Sequence, residues 1–394
     1  MKIDSVDFFY LSMPEVTHEA DGSQDALLVR LQAGPWVGYG ECEAAPLPSI
    51  AAFVCPMSHG ACLPVSASVL GRQLGSPADI DAIAADVAYN SMDLLQAAHT
   101  FSGIEMAMWD ALGKARGEPV WKLLGYQASH VKTPYASLLF GDDAQQTLER
   151  GRDAVHRGFR AAKFGWGPIG RGSAKQDAEH FMAAREALGQ HGVLLVDVGQ
   201  IFIEDVERAT ERLDALREAR ATWLEEPFAA SALQAYGDLA ARCSGGLKLA
   251  GGEGAHNTHM AKHLIDYGKV GYIQIDCGRI GGIAPAKKIA DYAVAHGVIY
   301  VNHTFTSHLA LSASMQPFAG LKEHSICEYP AAPKALAIEL TANHIERDSA
   351  GQIAAPDAPG LGIEIDAQAV HRYAVDAEIR VGGRTLYRAP VFVN

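Results

Sequence analysis

LLVDVG (residues 194–199) opens the part of the chain that decides the fold, because the same local pattern then returns four more times. The later segments are TWLEEP (222–227), KLAGGE (248–253), GYIQID (271–276) and IYVNH (299–303). In each segment an apolar or β-branched run leads to an acidic residue or a histidine, and residues with helical spacing follow. This order is typical of successive βα units.

The polar residue near the end of each segment marks the end of a predicted strand. These residues are Asp197, Glu225, Glu253, Asp276 and His303, and they follow one another at nearly even intervals. In a (β/α)8 barrel every strand delivers its last residues to the same face, so groups far apart in sequence meet at one mouth. We therefore predict an α/β fold of this kind, with a metal site beside a proton-transfer site at the mouth.

Length and charge are compatible with a barrel and narrow the choice of partners. A chain of 394 residues suits a barrel of ~250 residues plus a second domain. The formal net charge is −13, and no stretch concentrates lysine and arginine. This charge pattern argues against nucleic acid as a partner.

Nothing in the sequence indicates a membrane or an oxidising compartment. No apolar run reaches the ~18 residues of a membrane span, and the N-terminus MKIDSVDFFY lacks the basic and apolar regions of a leader. The six cysteines show no CxxC pairing and no dense framework. They are typical of free, mostly buried thiols in a reducing cytosol, and we expect a cytoplasmic protein without membrane association.

Three regions follow one another along the chain. Residues 1–128 begin with two predicted strands, VDFFYLSM and DALLVRLQ. The βα rhythm occupies residues 129–340. Residues 341–394 return to loop and strand patterns rich in turn residues.

The first region also contains two predicted helices after a Gly/Pro/Ala-rich stretch over residues 34–76. The first helix is predicted to start at Ser76-Pro77, where a cap residue precedes a proline. The second is predicted over residues 102–117, where Gly117 marks the end.

Several short motifs, taken in their order and spacing, resemble those of one protein family. They are SGIEMAMWDALGKARGEPVWKLLG (102–125), VDVGQ (196–200), WLEEP (223–227), GGE (251–253), QIDCGRIGG (274–282), NH (302–303) and PDAPGLG (356–362). Over essentially its whole length the chain resembles the mandelate racemase-like branch of the enolase superfamily. The resemblance implies a modified TIM barrel over 129–340, capped by an α+β domain that residues 1–128 and 341–394 build together.

The first three strand-end acids have the chemistry of a metal site. Asp197, Glu225 and Glu253 all offer oxygen, which suits a hard cation such as Mg²⁺ with positions left for water and substrate. Acids after strands also cap the following helices, but three in succession are more regular than capping requires, and zinc would favour histidine or cysteine. The resemblance assigns the metal to Glu225, and we expect Glu226 to support the ligands from behind.

Asp276 and His303 are interpreted as a catalytic pair. A carboxylate bonded to one ring nitrogen fixes the tautomer and raises the basicity of the other nitrogen, which gives a base near neutral pH. A lone histidine at a strand end is often structural, but this one has a partner and faces a metal site. Glu328, in SICEYP, resembles the family's acid that binds the substrate carboxylate or supplies a proton, with a plain strand-end acid as the alternative. Arg279 is interpreted as a structural ion-pair partner.

The second strand of the barrel departs from the family pattern. Relatives commonly carry Lys-x-Lys there, and the second lysine is the base on the face opposite the histidine. This chain reads Lys163-Phe-Gly165, so a glycine replaces the second lysine. Lys163 remains able to neutralise a substrate carboxylate and its enediolate, and the alternative is a solvent-exposed lysine at the strand end.

The missing lysine bears on the type of reaction. Racemisation or epimerisation requires a base on each face of the substrate, and only His303 is evident. This favours β-elimination of water from an acid sugar, an aldonate or aldarate, to a 2-keto-3-deoxy acid. The resemblance implies a Lys or His base, with Mg²⁺ stabilising the enediolate. The alternatives are a racemase, epimerase or cycloisomerase of a carboxylate, and a relative that binds an acid sugar without turning it over.

A second motif suggests a different class of enzyme. Residues 165–170, GWGPIG, match the G-x-G-x-x-G fingerprint of dinucleotide binding, which would indicate an oxidoreductase. The context argues against it, because Pro168 removes a backbone donor and no acidic residue ends a strand ~20 residues later. We expect Trp166 and the glycines to form a rigid wall beside the substrate.

The loops of the cap are expected to decide which acid is bound. They span residues 18–24 and 43–66, and their candidate contacts to substrate hydroxyls are His18, Asp21 and His59. The predicted partner is a small-molecule carboxylate, and the resemblance implies a symmetric homo-oligomer. The acid sugar and its stereochemistry stay unassigned.

Overall fold

A three-stranded antiparallel sheet opens the chain. The computed structural model describes residues 1–19, 21–43 and 45–393. The sheet consists of β1 (Ile3–Ser12), β2 (Asp25–Ala33) and β3 (Trp36–Cys42), in that order. The helices that follow are α1 (Pro46–Val54), α2 (Ser66–Val69), α3 (Pro77–Asn90), α4 (Ala97–Arg116) and α5 (Val120–Leu123).

The long helix α4 lies directly on this sheet. Two glycines of β3 allow the approach, since a Cβ at Gly38 or Gly40 would overlap the backbone of α4 at Ala107 or Gly103. Most of α4 is buried. The sheet and α4 therefore form one packed layer pair.

Local sequence signals explain where two of these helices begin or end. Ser76 and Asp79 form a capping box at the start of α3, with Pro77 in the first turn, as predicted. α4 ends at Gly117, where a φ of 67° suits glycine.

Other boundaries differ from the prediction. α4 begins at Ala97, ahead of the predicted start at residue 102, because buried Thr100 and Phe101 continue its packed face. β3 and α1 lie within the Gly/Pro/Ala-rich stretch, where the sequence predicted no element. Small residues were required there by close packing, and they masked the periodicity.

Eight parallel strands form the second sheet. They are β4 (Thr133–Leu139), β5 (Ala161–Gly165), β6 (Val193–Asp197), β7 (Ala221–Glu225), β8 (Lys248–Gly251), β9 (Tyr272–Asp276), β10 (Ile299–His303) and β11 (Ile326–Pro330). Consecutive strands from β4 to β10 pair in parallel, and β11 pairs with β4. The prediction of a capped (β/α)8 barrel is confirmed.

Helices alternate with these strands. They are α6 (Ala144–His156), α7 (Ala174–Leu188), α8 (Val206–Thr210), α9 (Leu213–Glu218), α10 (Leu233–Ala240), α11 (Thr258–Asp266), α12 (Ile283–Ala295), α13 (His308–Met315) and α14 (Ala335–Glu339).

Strand register sets the relative positions of the strand-end residues. Gly165 is the register partner of Asp197, and Asp197 is the partner of Glu225. Asp276 and His303 are partners in the same way on β9 and β10. Residues that end neighbouring parallel strands in register lie at one level of the mouth.

The seam between β10 and β11 is joined by a side chain. Among the described residues, the ladder of backbone hydrogen bonds runs from β10 round to β11 without linking these two strands. Asn302 on β10 links them instead, because its Nδ2 donates to the Glu328 carbonyl (3.3 Å) and its Oδ1 accepts from the Glu328 N–H (2.8 Å).

An apolar and aromatic layer fills the barrel below the mouth. Its buried members are Tyr135, Ala161, Leu195, Trp223, Ala250 and Val301. The interior is therefore closed beneath the polar groups, as in other barrels of this class.

The C-terminal tail returns to the N-terminal sheet. It forms α15 (Ala367–Tyr373), β12 (Glu378–Val381) and β13 (Arg384–Arg388). Tyr387 Oη donates to the Phe8 carbonyl at 2.8 Å, and the Val375 N–H donates to the Tyr10 carbonyl at 2.9 Å. The division into 1–128, 129–340 and 341–394 stays a prediction.

Asp110 ties the tail to the N-terminal region. This buried carboxylate of α4 accepts from the Tyr39 N–H and from the Leu361 N–H, both at 2.9 Å. Lys114 Nζ balances its charge at 2.6 Å. One acid thus holds β3, α4 and the PDAPGLG turn together.

Glu105 ties α4 to the barrel. Its carboxylate accepts from the N–H groups of Ile283 (2.7 Å) and Ala284 (2.8 Å), which begin α12, and from Trp109 Nε1 (2.8 Å). Such a carboxylate complements the positive end of the helix dipole. Burial nevertheless raises the pKa of Glu105 to about 7.

Two expectations from the composition can also be compared with the structure. The six cysteines are free thiols, and three of them, Cys42, Cys277 and Cys327, are buried. Within the described residues, no helix combines the length and apolar character that crossing a membrane requires.

The contact between Glu105 and α12 predicts a strong requirement for glycine at position 282. Gly282 has φ 111° and ψ −162°, and a Cβ there would overlap Glu105 Oε2. Gly282→Ala should lower the free energy of unfolding by about 3 kcal/mol or more, from backbone strain and overpacking together. Gly297→Ala is the control, because Gly297 also has positive φ but open space around it, and it should cost ~1–2 kcal/mol. Urea unfolding measures both losses of free energy. If the two substitutions cost the same, the close contact with Glu105 does not explain the requirement for glycine at position 282.

Candidate active site

A buried ammonium group lies in the mouth of the barrel. Lys163 on β5 is only 2% exposed. Its Nζ lies 2.8 Å from Glu225 Oε1, 3.0 Å from Glu328 Oε1 and 3.8 Å from Asp197 Oδ2. The interpretation of Lys163 as a solvent-exposed strand end is therefore wrong.

The charges in this cluster act on one another. Burial opposes the charge on Lys163, but Glu225 and Glu328 outweigh it and hold its pKa well above the usual value. Burial and the nearby Glu225 raise the pKa of Asp197 well above its usual range, against the pull of Lys163. Burial likewise raises the pKa of Glu225, although Lys163 lowers it. The acids are therefore short of positive charge.

Two hydrogen bonds from the barrel orient these acids. Trp223 Nε1 donates to Glu225 Oε2 at 3.0 Å, and the Gly199 N–H donates to Asp197 Oδ1 at 2.8 Å. Each carboxylate thus keeps one oxygen fixed by the protein while the other faces the ammonium group.

Glu328, the acid of the SICEYP segment, lies on β11. It is fully buried, and its second oxygen accepts from the Thr304 N–H at 2.9 Å. The structure therefore brings Glu328 into contact with Lys163. Its contact with substrate stays a prediction.

His303 and Asp276 form a hydrogen-bonded pair. His303 Nδ1 bonds to Asp276 Oδ2 at 2.6 Å, and Asp276 Oδ1 accepts from the Gly278 N–H at 2.6 Å. The other ring nitrogen, Nε2, lies 3.0 Å from Glu253 Oε2. Burial opposes the imidazolium, but Glu253, Glu328 and the bond from Asp276 raise the pKa of His303 well above its usual value.

Arg279 joins this pair to the N-terminal region. Its guanidinium binds Glu43 in a fork, Nε to Oε2 at 2.6 Å and Nη2 to Oε1 at 2.9 Å. Its Nη1 lies 3.2 Å from Glu253 Oε1. Burial works against the charge on Glu253, but His303 and Arg279 together hold its pKa below the usual range. Arg279 is an ion-pair partner, as interpreted from the sequence.

Glu226, the residue after Glu225, is buried near Glu253. Its Oε2 accepts from Gln200 Nε2 at 2.7 Å. Burial, followed by the charge of Glu253, raises the pKa of Glu226 to about 8. The side chain is thus held in place by Gln200 and is not bonded to Lys163 in the described structure.

Gly165 leaves a gap on the inner face of β5. Because side chains alternate along a strand, a side chain at position 165 would share this face with Lys163. A Cβ there would lie 3.1 Å from Asp197 Oδ2. The position of the missing lysine therefore faces the mouth.

Trp166 follows with a φ of 56° and is 44% exposed. Its indole covers Gly199 so closely that a Cβ on that glycine would lie 2.8 Å from ring atoms. The ring therefore forms a wall at the ends of β5 and β6. Contact with a substrate stays a prediction.

The last glycine of the GWGPIG segment does not offer a free N–H group to a ligand. The Gly170 N–H donates to the Asp177 carboxylate at 3.2 Å. α7 begins only after a further turn, with Ser173 as its cap. These contacts favour the structural interpretation of the segment.

The acids of the mouth are ligands of the type that a hard cation prefers. Asp197, Glu225 and Glu253 are oxygen donors at neighbouring strand ends, and burial, together with the neighbouring acids, raises the pKa of the first two, which a bound cation would offset. In this structure nearby basic side chains bind their oxygens. Among the described residues, no three Asp, Glu, His or Cys side chains are arranged as a ready metal site. Cation binding therefore requires Glu253 to exchange partners.

A cavity of about 520 Å³ opens at the ends of β4 and β11, and its lining reaches Phe305 but does not include Lys163 or the acids around it. The residues lining it include Asp21, Ser137, Leu139, Phe305 and Pro330. The Phe305 ring centroid lies 5.9 Å from Lys163 Nζ and 5.9 Å from the His303 ring. The cavity is of a size that accommodates small ligands.

The candidate contacts in the cap loops differ in position. Asp21 lines this cavity. His18 is exposed and does not line it. His59 lies at the surface, with Nε2 3.3 Å from Asp93 Oδ2. The structure thus brings only Asp21 of the three to the cavity.

Sequence reasoning missed four residues of the site: Glu41, Glu43, Trp223 and Phe305. The acids at 41 and 43 are two residues apart at the end of β3, so they share one face of the strand, and this signal was available. Trp223 and Glu225 show the same spacing on β7. Phe305 gave no local signal, because only the fold places its loop over Lys163.

Comparisons with known proteins agree with this fold. Residues 15–125 match the family model described as the mandelate racemase / muconate lactonizing enzyme N-terminal domain. Residues 146–369 match the model described as enolase C-terminal domain-like. A solved structure described as a predicted mandelate racemase from Rhodobacter sphaeroides is 65% identical, covers 99% of both chains and has a TM-score of 0.95.

Two curated proteins are also similar. The D-galactonate dehydratase of Variovorax paradoxus is 31% identical over 285 residues, which cover 68% of this chain and 72% of that protein. The D-galactarolactone cycloisomerase of Agrobacterium fabrum is 29% identical over 288 residues, which cover 69% of this chain and 73% of that protein.

The charge deficit predicts stabilisation by a divalent cation. Mg²⁺ at about 100 times its Kd should stabilise the protein by ~2.7 kcal/mol, visible as a raised Tm. Glu253→Gln should remove most of this response, because it deletes a charged ligand. Glu186→Gln is the control, since Glu186 lies at the surface in a pair with Arg152, and its response should equal that of the wild type. An unchanged Mg²⁺ response in Glu253→Gln would remove Glu253 from the metal site.

Proposed function

The chain belongs to the mandelate racemase-like branch of the enolase superfamily, and we propose that it is an Mg²⁺-dependent dehydratase of acid sugars. The substrate is an aldonate or aldarate, and the product is a 2-keto-3-deoxy acid. One observation carries the proposal: the mouth contains a single histidine base, His303, while the position of a second base is occupied by Gly165.

His303 is the general base in this reaction. Its Nδ1 is bound by Asp276, so Nε2 is the nitrogen that takes the proton from the carbon next to the substrate carboxylate. In this structure Nε2 faces Glu253 at 3.0 Å. The same nitrogen, once protonated, delivers its proton to the 3-hydroxyl, and the C3–O bond breaks with release of water.

Lys163 stabilises the negative charge that develops in this step. Its ammonium group is desolvated, and it is held in place by Glu225 and Glu328 before substrate enters. A cation fixed in a dry site costs no reorganisation when charge appears on the substrate carboxylate. Glu328 therefore acts here by positioning Lys163.

Asp197, Glu225 and Glu253 are the residues that would hold Mg²⁺. Enolase-superfamily members generally use this ion. When bound, it would supply Lewis-acid stabilisation of the substrate carboxylate. Two of the three acids also contact the groups that do the chemistry, Glu225 the ammonium group of Lys163 and Glu253 the ring of His303.

A racemase or epimerase is disfavoured by the same residues. These reactions remove a proton on one face and return it on the other, which requires two bases. The inner face of β5 offers glycine where the second base would stand. A dehydratase requires only one base, and a curated relative is a D-galactonate dehydratase.

A cycloisomerase is the second candidate. A relative of comparable similarity is a D-galactarolactone cycloisomerase. Elimination of a ring oxygen from a lactone also needs one base, so the geometry of His303 suits both reactions. The two differ in the leaving group, which departs as water from an open-chain acid and stays attached in a lactone.

A screen of aldonic acids, aldaric acids and their lactones with Mg²⁺ tests the proposal. Formation of a 2-keto acid with release of water supports dehydration, and a keto acid of unchanged mass supports cycloisomerisation. Metal binding without exchange of any substrate α-proton in deuterium oxide would instead favour a relative that binds an acid sugar without turning it over.

His303→Asn should lower turnover by ~10²–10⁴-fold, as expected for loss of a general base. Asp276→Asn should reduce it almost as much, because the ring loses the partner that fixes its tautomer. Exchange of the substrate α-proton in deuterium oxide, followed by proton NMR, should disappear in both variants. Near-normal exchange in His303→Asn would place the base elsewhere.

The wild type should act on one carbon-2 epimer and should not interconvert the two. The reason is that Gly165 supplies no base to return a proton on the other face. Proton NMR with each epimer of an active acid sugar measures this directly, and deuterium should enter from the His303 side alone. Interconversion of the epimers would overturn the one-base mechanism and favour a racemase.

A further inference from the structure

A fully buried glutamate of the cap lies behind the catalytic pair. Glu41, near the end of β3, is 1% exposed. One of its carboxylate oxygens, Oε2, accepts from Ser307 Oγ at the start of α13. The other, Oε1, is buried and has no hydrogen-bond partner among the described residues. A buried oxygen of this kind normally has a partner, which is often an ordered water.

A small cavity adjoins Glu41. Its volume is about 10 Å³, which is about the smallest that holds one water molecule. The lining includes the polar residues Glu41, Asp276, His303, Thr304 and Thr306. A site that is both polar and of this size suits a water that makes two or more hydrogen bonds.

Asp276 is the residue of the catalytic pair that can bond to a water in this cavity, because both Asp276 and Glu41 line it. Asp276 binds His303 through Oδ2 and the Gly278 N–H through Oδ1. Each carboxylate oxygen has a further lone pair for another donor. A water between Glu41 and Asp276 would therefore give the orphaned oxygen a partner and give Asp276 an additional hydrogen bond.

We propose that Glu41 is a positioning residue for the Asp276–His303 pair and acts through a water held in this cavity. The water bridges Glu41 Oε1 and the Asp276 carboxylate. It fixes the plane of that carboxylate and so the orientation of the imidazole. The effect on turnover rests on the proposed function, whereas the water and the geometry of the pair do not.

The charges around Glu41 are compatible with this role. Burial raises the pKa of Glu41 to about 7, against the lowering effect of Ser307 and of the nearby Thr306 hydroxyl. The protonated form can donate to the water, and the water can then donate to Asp276. The ionisable and charged groups near Glu41 are Cys42 and Glu43 on its own segment, Asp276, Cys277 and Arg279 from the β9 end, and His303 from β10.

Glu105 can be compared with Glu41, because its role is purely structural. Glu105 is also fully buried, also belongs to the cap, and also binds the start of a barrel helix, α12. Burial raises its pKa to about 7 as well. It does not line the small cavity. Glu105 is therefore the control. Its loss removes an anchor between the cap and a barrel helix, whereas loss of Glu41 also removes the proposed partner of the water beside Asp276.

The experiment compares the wild type with Glu41→Met, Glu41→Gln and Glu105→Met. A crystal structure of the wild type at atomic resolution should show a water between Glu41 and Asp276. Proton NMR should show the downfield resonance of the His303 Nδ1–H bond to Asp276, shifted or broadened in Glu41→Met and unchanged in Glu105→Met. With an active acid sugar, Glu41→Met should lower kcat by about 10–100-fold with little change in KM.

Glu41→Gln serves as the rescue, because an amide matches the protonated acid in shape and can hold the water. It should keep the water, the resonance and most of kcat. An empty cavity in the wild-type structure would overturn the proposal even if Glu41→Met fails to fold. So would equal effects of Glu41→Met and Glu105→Met on the resonance. If no substrate is found, the proposed function fails while the crystal and NMR results still decide the role of Glu41.

Discussion

The buried ammonium group of Lys163 is the interaction on which the barrel mouth depends. It faces Glu225, Glu328 and Asp197 inside the barrel. Carboxylates removed from water are costly unless they are paired, and loss of one partner leaves the rest uncompensated. The ammonium group of Lys163 therefore permits buried acids on three strands, β6, β7 and β11. Because β11 is the last strand of the ladder and β6 and β7 lie within it, the same group also links the seam to the rest of the barrel.

A second set of carboxylates performs a similar task between the cap and the barrel. Glu105 binds the start of α12, Glu41 binds the start of α13, and Glu43 binds Arg279. All three come from the N-terminal region, and their partners lie on segments that follow β9 and β10. The cap is thus fastened to the barrel at the segments that follow the strands of Asp276 and His303.

The sequence allowed the barrel and its strand-end residues to be predicted because both rest on local patterns. Apolar runs ending in acids are visible over a few residues, and the barrel architecture then places them together. The contacts that complete the site are not local. Arg279 and Glu43 are 236 residues apart, and Asn302 joins β10 to β11 through its side chain. Burial at Lys163 was also invisible, since a lysine at a strand end is ordinarily exposed.

Gly165 also has a consequence for how this protein could diverge. A Cβ at this position would lie 3.1 Å from Asp197 Oδ2, so a small displacement of one side chain accommodates it. Gly165 has no positive φ that would require glycine, so its backbone would accept other residues. On the proposed one-base mechanism, a longer basic side chain at this position would add a second proton acceptor to the mouth. The fold would tolerate that change if Asp197 moved by a few tenths of an ångström, so position 165 is one at which the reaction could change while the barrel stays the same.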